Sequence, residues 1–157
     1  MLIGVTGKSG SGKSTWAKNY CKENNFIYVD IDEIAHIVLE ENKYTLEAWF
    51  NTTDRKEIGQ ILFNSRKMYN EFCNATWTIM ERKIDKIIKD NENVLLDFIL
   101  LPNTKYWNNC CRILVKCPDE IRKQRVMSRD NITEEYFNLR EKNSIEYNEK
   151  EMDKIVE

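Results

Sequence analysis

The sequence predicts an α/β fold with a central parallel β-sheet flanked by helices, and three observations carry that reading. Short apolar runs of strand type, residues 2–6, 26–29, 94–96 and 112–115, alternate with helical segments. That alternation builds parallel sheets covered on both faces. The first run leads straight into GKSGSGKS, residues 7–14, a glycine loop that belongs between a strand and a helix. Acids close two later runs, Asp30 after the second and Asp97 after the third. Sheets of this kind collect their binding sites at those carboxyl ends.

The elements follow in order. Leu2-Ile3-Gly4-Val5-Thr6 is the first strand, and residues 15–22 continue the loop as a helix. GKSGSGKS fits G-x-x-x-x-G-K-[ST] at every fixed position. Gly7, Gly10 and Gly12 let the backbone curl so that successive N–H groups face inward, and the helix start adds partial positive charge. Gly7, Lys8, Ser9, Gly10, Ser11, Gly12, Lys13, Ser14 and Thr15 are therefore the candidate ATP-binding set. Lys13 reaches the β- and γ-phosphates, and the Ser14 hydroxyl is placed for a magnesium ion.

Residues 26–29 form the second strand, ending at Asp30, and 31–40 read as a helix. Of Asp30 and Asp32, one caps that helix and the other faces the phosphates, with Asp32 favoured as the functional acid. His36, the only histidine, either faces the same cleft or is structural. Residues 41–53 show no clear period. Apolar positions from Ile58 through Phe72 suggest helix, and Trp77, Met80, Ile84, Ile87 and Ile88 define a second amphipathic helix to about Lys89. Residues 94–96 are a buried strand ending at Asp97, the second carboxylate on the magnesium side. After the strand 112–115, Pro118-Asp119-Glu120 opens a helix and Thr133 caps another. Arg122, Arg125 and Arg129 share one face at spacings of three and four, with Arg140 on the next helix. Like charges so placed repel unless an anion joins them, and phosphoryl transfer needs arginines on the transferring group. That role suits Arg125 and Arg129 better than Arg122.

Composition narrows the partners. The chain has 157 residues, 41% of them hydrophobic and 32% charged, with a net charge of −2. A single domain is expected, without general attraction to nucleic acid or membrane. No apolar run approaches the roughly 20 residues of a membrane span. The chain enters its first strand at once, so no targeting peptide is expected. Five cysteines, an odd count without a C-x-x-C pair, and a single histidine speak against zinc. They read as reduced, mostly buried thiols in a cytoplasmic protein that works as a monomer.

The motifs together resemble the dephospho-coenzyme A kinase family. IGVTGKSGSGKST resembles its opening and VDIDEIAHIV its Asp-x-Asp-x-Ile-Ala-His segment. DRKEIGQILF resembles its Asp-Arg element, LLDFILL its third strand end, and RVMSRDNITEEYFNLR its lid, with Arg125, Arg129 and Arg140 at matching positions. Residues 152–157 resemble its last core strand. The chain departs from the family at Trp77-Thr78, which replace His-Pro, and at Ile99, Asn103 and Asn143, which replace Pro, Glu and Gln.

The resemblance implies a P-loop kinase fold: a core of residues 1–40 and 91–157, a small helical substrate region at about 41–90, and a lid at about 122–143. The implied reaction moves the γ-phosphoryl of ATP, with Mg2+, to the 3′-hydroxyl of dephospho-coenzyme A. Asp32 is implied as base, with Lys13, Arg125 and Arg129 on the transferring group. Arg140 is implied on ATP, and Asp30, Asp32, His36, Arg55 and Asp97 on the substrate side. Ser14, and Asp97 through water, are implied on the metal. The alternatives are a kinase of the same build for a nucleoside or nucleotide, and an ATP-binding protein that has lost catalysis.

Overall fold

The computed structural model describes residues 1–157. Five strands, β1 (Leu2–Thr6), β2 (Ile27–Asp30), β3 (Val94–Asp97), β4 (Cys111–Val115) and β5 (Lys154–Val156), form one sheet. All pairings are parallel, in the order β2-β3-β1-β4-β5. Asp97 is in register with Val5 on one side and with Asp30 on the other. The carboxyl ends of the first three strands therefore align, and whatever follows each strand meets at one edge of the sheet.

Two faces of β1 show how the sheet is covered. Side chains alternate along a strand, so Ile3 and Val5 share one face, where they cluster with Leu95, Ile113, Val115, Ala17 and Cys21. Ala17 and Cys21 come from α1 (Lys13–Asn24). Gly4 points the other way, and a Cβ there would lie 2.5 Å from Cys110 Sγ and 2.6 Å from Leu101 Cδ2. Residues 98–110, which include two short 3-10 turns (Leu101–Asn103 and Trp107–Asn109), thus pack onto the second face too closely for a side chain at position 4.

The helices include α2 (Ile31–Glu41), α3 (Lys43–Phe50), α4 (Arg55–Phe63) and α5 (Arg66–Asp90) between β2 and β3, and α6 (Asp119–Asp130) and α7 (Glu134–Lys142) after β4. The chain divides into two compact units, Met1–Asp30 with Asn91–Glu157, and Ile31–Asp90. The helical unit starts at Ile31 rather than near residue 41, because α2 packs against α5. Its core joins Leu46, Phe50, Ile58 and Leu62 with Leu39, Ile61 and Phe72, and the Phe50 and Phe72 rings meet edge to face at 5.8 Å.

Three sequence expectations change. The stretch 41–53 holds a helix, α3, whose period is hidden because only Leu46 and Phe50 of its eight residues are buried. The helical residues beyond Ile58 split at Asn64-Ser65, and the Ser65 hydroxyl accepts from Met68 N–H at 3.3 Å as the long α5 begins. The thiols are not mostly buried: only Cys21 is, while Cys73, Cys110 and Cys117 are partly exposed and Cys111 is exposed; none forms a disulfide.

Candidate functional site

The loop between β1 and α1 has the geometry of an anion cradle. Gly10 and Gly12 have φ of 80° and 87°, values that glycine alone adopts without strain. A Cβ at Gly10 would also lie 2.8 Å from the Arg122 carbonyl oxygen. Ser11 N–H donates to Lys8 O at 3.1 Å and closes the turn. Helix α1 starts at Lys13 with Gly12 as its cap, so no side chain occupies the first N–H groups, and no acid stands in its first turn. Those donors and the helix field therefore point at whatever anion the loop receives. Ser11 Oγ is buried and unpartnered. Thr15 sits exposed on the first turn of α1.

Opposite the loop stands a carboxylate cluster. Asp97 is 1% exposed. Its Oδ1 accepts from Lys13 Nζ, which lies 3.5 Å from Ser14 Oγ. Its Oδ2 accepts from the Tyr28 hydroxyl at 2.7 Å. Asp30 is its register partner on β2. Burial, and then the bond to Asp97, push the Tyr28 phenol well above its ordinary range, so it stays a donor. Two hard oxygen donors, the Ser14 hydroxyl and the Asp97 carboxylate, fit magnesium, which keeps several waters and needs few protein ligands beside phosphate. No cluster of three His, Cys, Asp or Glu side chains builds a self-contained metal cage.

The arginines fall into two groups. Arg122 is 2% exposed. Its guanidinium binds Glu141 on α7 at 2.6 Å, Asp119 at 2.9 Å and the Ser9 carbonyl at 2.9 Å. It is a clamp that ties α6 and α7 to the loop. Arg125 and Arg129 are exposed on the neighbouring turns. Arg125 donates to Gly10 O at 3.2 Å, and Arg129 to Ser9 Oγ at 3.1 Å. Arg129 and Arg140 share Asp130 at 2.7 and 2.8 Å, and these two bonds hold the Asp130 carboxyl far below its usual range. Lys8 pairs with Glu146 at 2.8 Å. A cavity of about 140 Å³ lies beside the loop, bounded by Lys8, Ser11, Cys117, Arg122, Glu146 and Tyr147 among others.

The helical unit holds the remaining candidates. Asp32 and His36 are exposed one turn apart on α2. Arg55 opens α4, and its guanidinium meets His36 Nδ1. The neighbouring acids are otherwise engaged: Asp54 caps α4 by accepting from Lys56 N–H at 2.7 Å, and Glu57 accepts from Thr52.

Sequence reasoning missed Tyr28. A signal existed: Tyr28 stands two residues before Asp30, so the two share a strand face. The role of Arg122 was also missed, because its partner Glu141 lies on a different helix.

Comparison with known proteins places the chain in a family. The family model for dephospho-CoA kinase matches residues 1–156. A dephospho-CoA kinase of Prochlorococcus marinus is 30% identical over 151 residues, covering 84% of this chain and 74% of that one. The structure of a dephospho-CoA kinase from Campylobacter jejuni superimposes with a TM-score of 0.66 at 26% identity, covering 99% of this chain and 86% of that one. A crystal structure from Thermus thermophilus shares the fold with a TM-score of 0.84 at 24% identity, over the same shares.

Proposed function

The chain belongs to the dephospho-CoA kinase family, and from that membership we propose that it transfers the γ-phosphoryl group of ATP to the 3′-hydroxyl of dephospho-coenzyme A. The observation that carries the reading is the unfilled start of α1 beneath the glycine loop, with Lys13 held at Asp97. An anion-seeking helix end and a lysine at its first residue, within reach of the loop, are what a triphosphate needs.

The steps follow from the side chains. Lys13 exchanges Asp97 for the β- and γ-phosphates when ATP enters. Arg125 and Arg129, whose neutral partners at the loop are a carbonyl and a hydroxyl, turn to the charge that develops on the transferring group. Asp32 accepts the proton of the attacking hydroxyl, and Asp30 and His36 line the acceptor side. Arg55 grips the acceptor's diphosphate through its planar fork. Ser14 and Asp97 would hold a magnesium ion, which would supply charge neutralisation at the phosphates. Arg140, which donates to Asp130 in the free protein, binds ATP. The protein works on small molecules as a cytoplasmic monomer; no helix is long and apolar enough to cross a membrane.

The test is a product assay with ATP, magnesium and a panel of dephospho-coenzyme A, adenosine, pantetheine and nucleoside monophosphates. Dephospho-coenzyme A is expected to be phosphorylated fastest, at its 3′-hydroxyl. Phosphate on a nucleoside with none on dephospho-coenzyme A overturns the acceptor assignment.

A further inference from the structure

We propose that Tyr28 is a positioning residue that locks the Asp97 carboxylate in the orientation needed to serve a magnesium ion once Lys13 has left it. The inference rests on the kinase reading above and concerns a residue that reading does not use. Asp97 has two oxygens and two partners. Oδ1 is held by Lys13 and Oδ2 by the Tyr28 hydroxyl at 2.7 Å. These partners differ in kind. Lys13 belongs to the glycine loop and has a long, flexible stem that must reach phosphate when nucleotide binds. Tyr28 belongs to β2, its ring is half-buried, and Lys18 Nζ lies over that ring at 5.4 Å. Only the phenol can stay in place through the exchange.

The consequence is geometric. A carboxylate that is 1% exposed and loses its lysine has one free oxygen and one free torsion. The phenol bond fixes the plane, so Oδ1 keeps facing the loop where Lys13 stood. The Ser14 hydroxyl lies 3.5 Å from Lys13 Nζ, the other partner of that carboxylate. Tyr28 thereby holds one of the two oxygen donors that would serve the metal, the one at the end of β3. Groups that hold a ligating carboxylate from behind set how well it binds metal.

Tyr28→Phe tests this, because the ring and its packing remain and only the hydroxyl goes. ADP affinity is measured by calorimetry in EDTA and across a magnesium series, for wild type, Tyr28→Phe, Asp97→Asn and the double variant. In EDTA the Tyr28→Phe protein is expected to bind ADP within about twofold of wild type, which also shows that it folds. The magnesium concentration that half-maximally tightens ADP is expected to rise about tenfold, the scale of one hydrogen bond to a charged acceptor. In the Asp97→Asn background the same change is expected to add nothing, because Tyr28 acts through that carboxylate. An unchanged magnesium midpoint overturns the proposal. So does an equal loss of affinity in EDTA, or a shift that persists without the Asp97 charge. Failure of wild type itself to bind ADP overturns the kinase reading, and the positioning role falls with it.

Discussion

Lys13 is paired with the Asp97 carboxylate in the free protein, and its proposed role is to exchange that carboxylate for phosphate. Its Nζ is one of the two partners that satisfy Asp97, so removing it has two effects. Lys13→Met is expected to abolish phosphoryl transfer and to weaken ATP binding, while leaving a buried carboxylate held by Tyr28 alone. A filter assay for ATP binding and a turnover assay check this, and near wild-type turnover would remove the loop from the chemistry. The acid is the second residue-scale question. Asp30 is tied into the sheet edge beside Asp97, whereas Asp32 stands exposed on the first turn of α2. A base must reach a substrate hydroxyl, which favours Asp32. Asp32→Asn is expected to lower kcat by about 10²–10⁴-fold, the range of a positioned acid–base group, with ATP affinity little changed. A larger loss in Asp30→Asn would reverse the assignment.

At the scale of elements, what the sequence could and could not disclose depends on how far a signal reaches along the chain. The glycine loop, the strand before it and the helix after it are contiguous, so their local chemistry identifies them. β2, β3 and β4 are short apolar runs, and each lies within two residues of where the pattern puts it. Elements that owe their form to partners elsewhere were not legible. Helix α3 has two buried positions four residues apart, too few to show a period. Arg122 looked like part of a cationic face because its neutralising partner, Glu141, is nineteen residues away on α7. Capping is a local signal, and it makes a clean test of stability remote from chemistry. Asp54 accepts from Lys56 and Glu57 N–H at 2.7 and 3.3 Å, and no other side chain does this for α4. Asp54→Ala is expected to destabilise the fold by about 0.5–2 kcal/mol. Chemical denaturation followed by circular dichroism measures it, and a change near zero would mean that solvent replaces the cap.

For the whole molecule, the chain divides into Met1–Asp30 with Asn91–Glu157 and the helical Ile31–Asp90, and the groups proposed for ATP and the proposed acceptor grip of Arg55 fall in different units. The anion cradle, Lys13, Asp97, Arg125 and Arg129 all lie in the first unit, and Arg55 and His36 lie in the second. Anything that binds the folded state stabilises it by mass action, by about 2.7 kcal/mol at a hundredfold excess over Kd. Local opening responds according to which elements the ligand touches. Hydrogen exchange should therefore resolve the ligands by unit. ADP with magnesium is expected to protect residues 7–15 and helix α6, where the cradle N–H groups and Arg125 and Arg129 lie. Dephospho-coenzyme A alone is expected to protect the start of α4, where Arg55 meets His36, and the first turns of α2. The Arg55→Ala protein should lose the second pattern and keep the first, with a KM for dephospho-coenzyme A raised more than the KM for ATP. If the acceptor instead protects only the cradle, then Arg55 pairs with His36 for structure alone, and the acceptor site must be sought outside the helical unit.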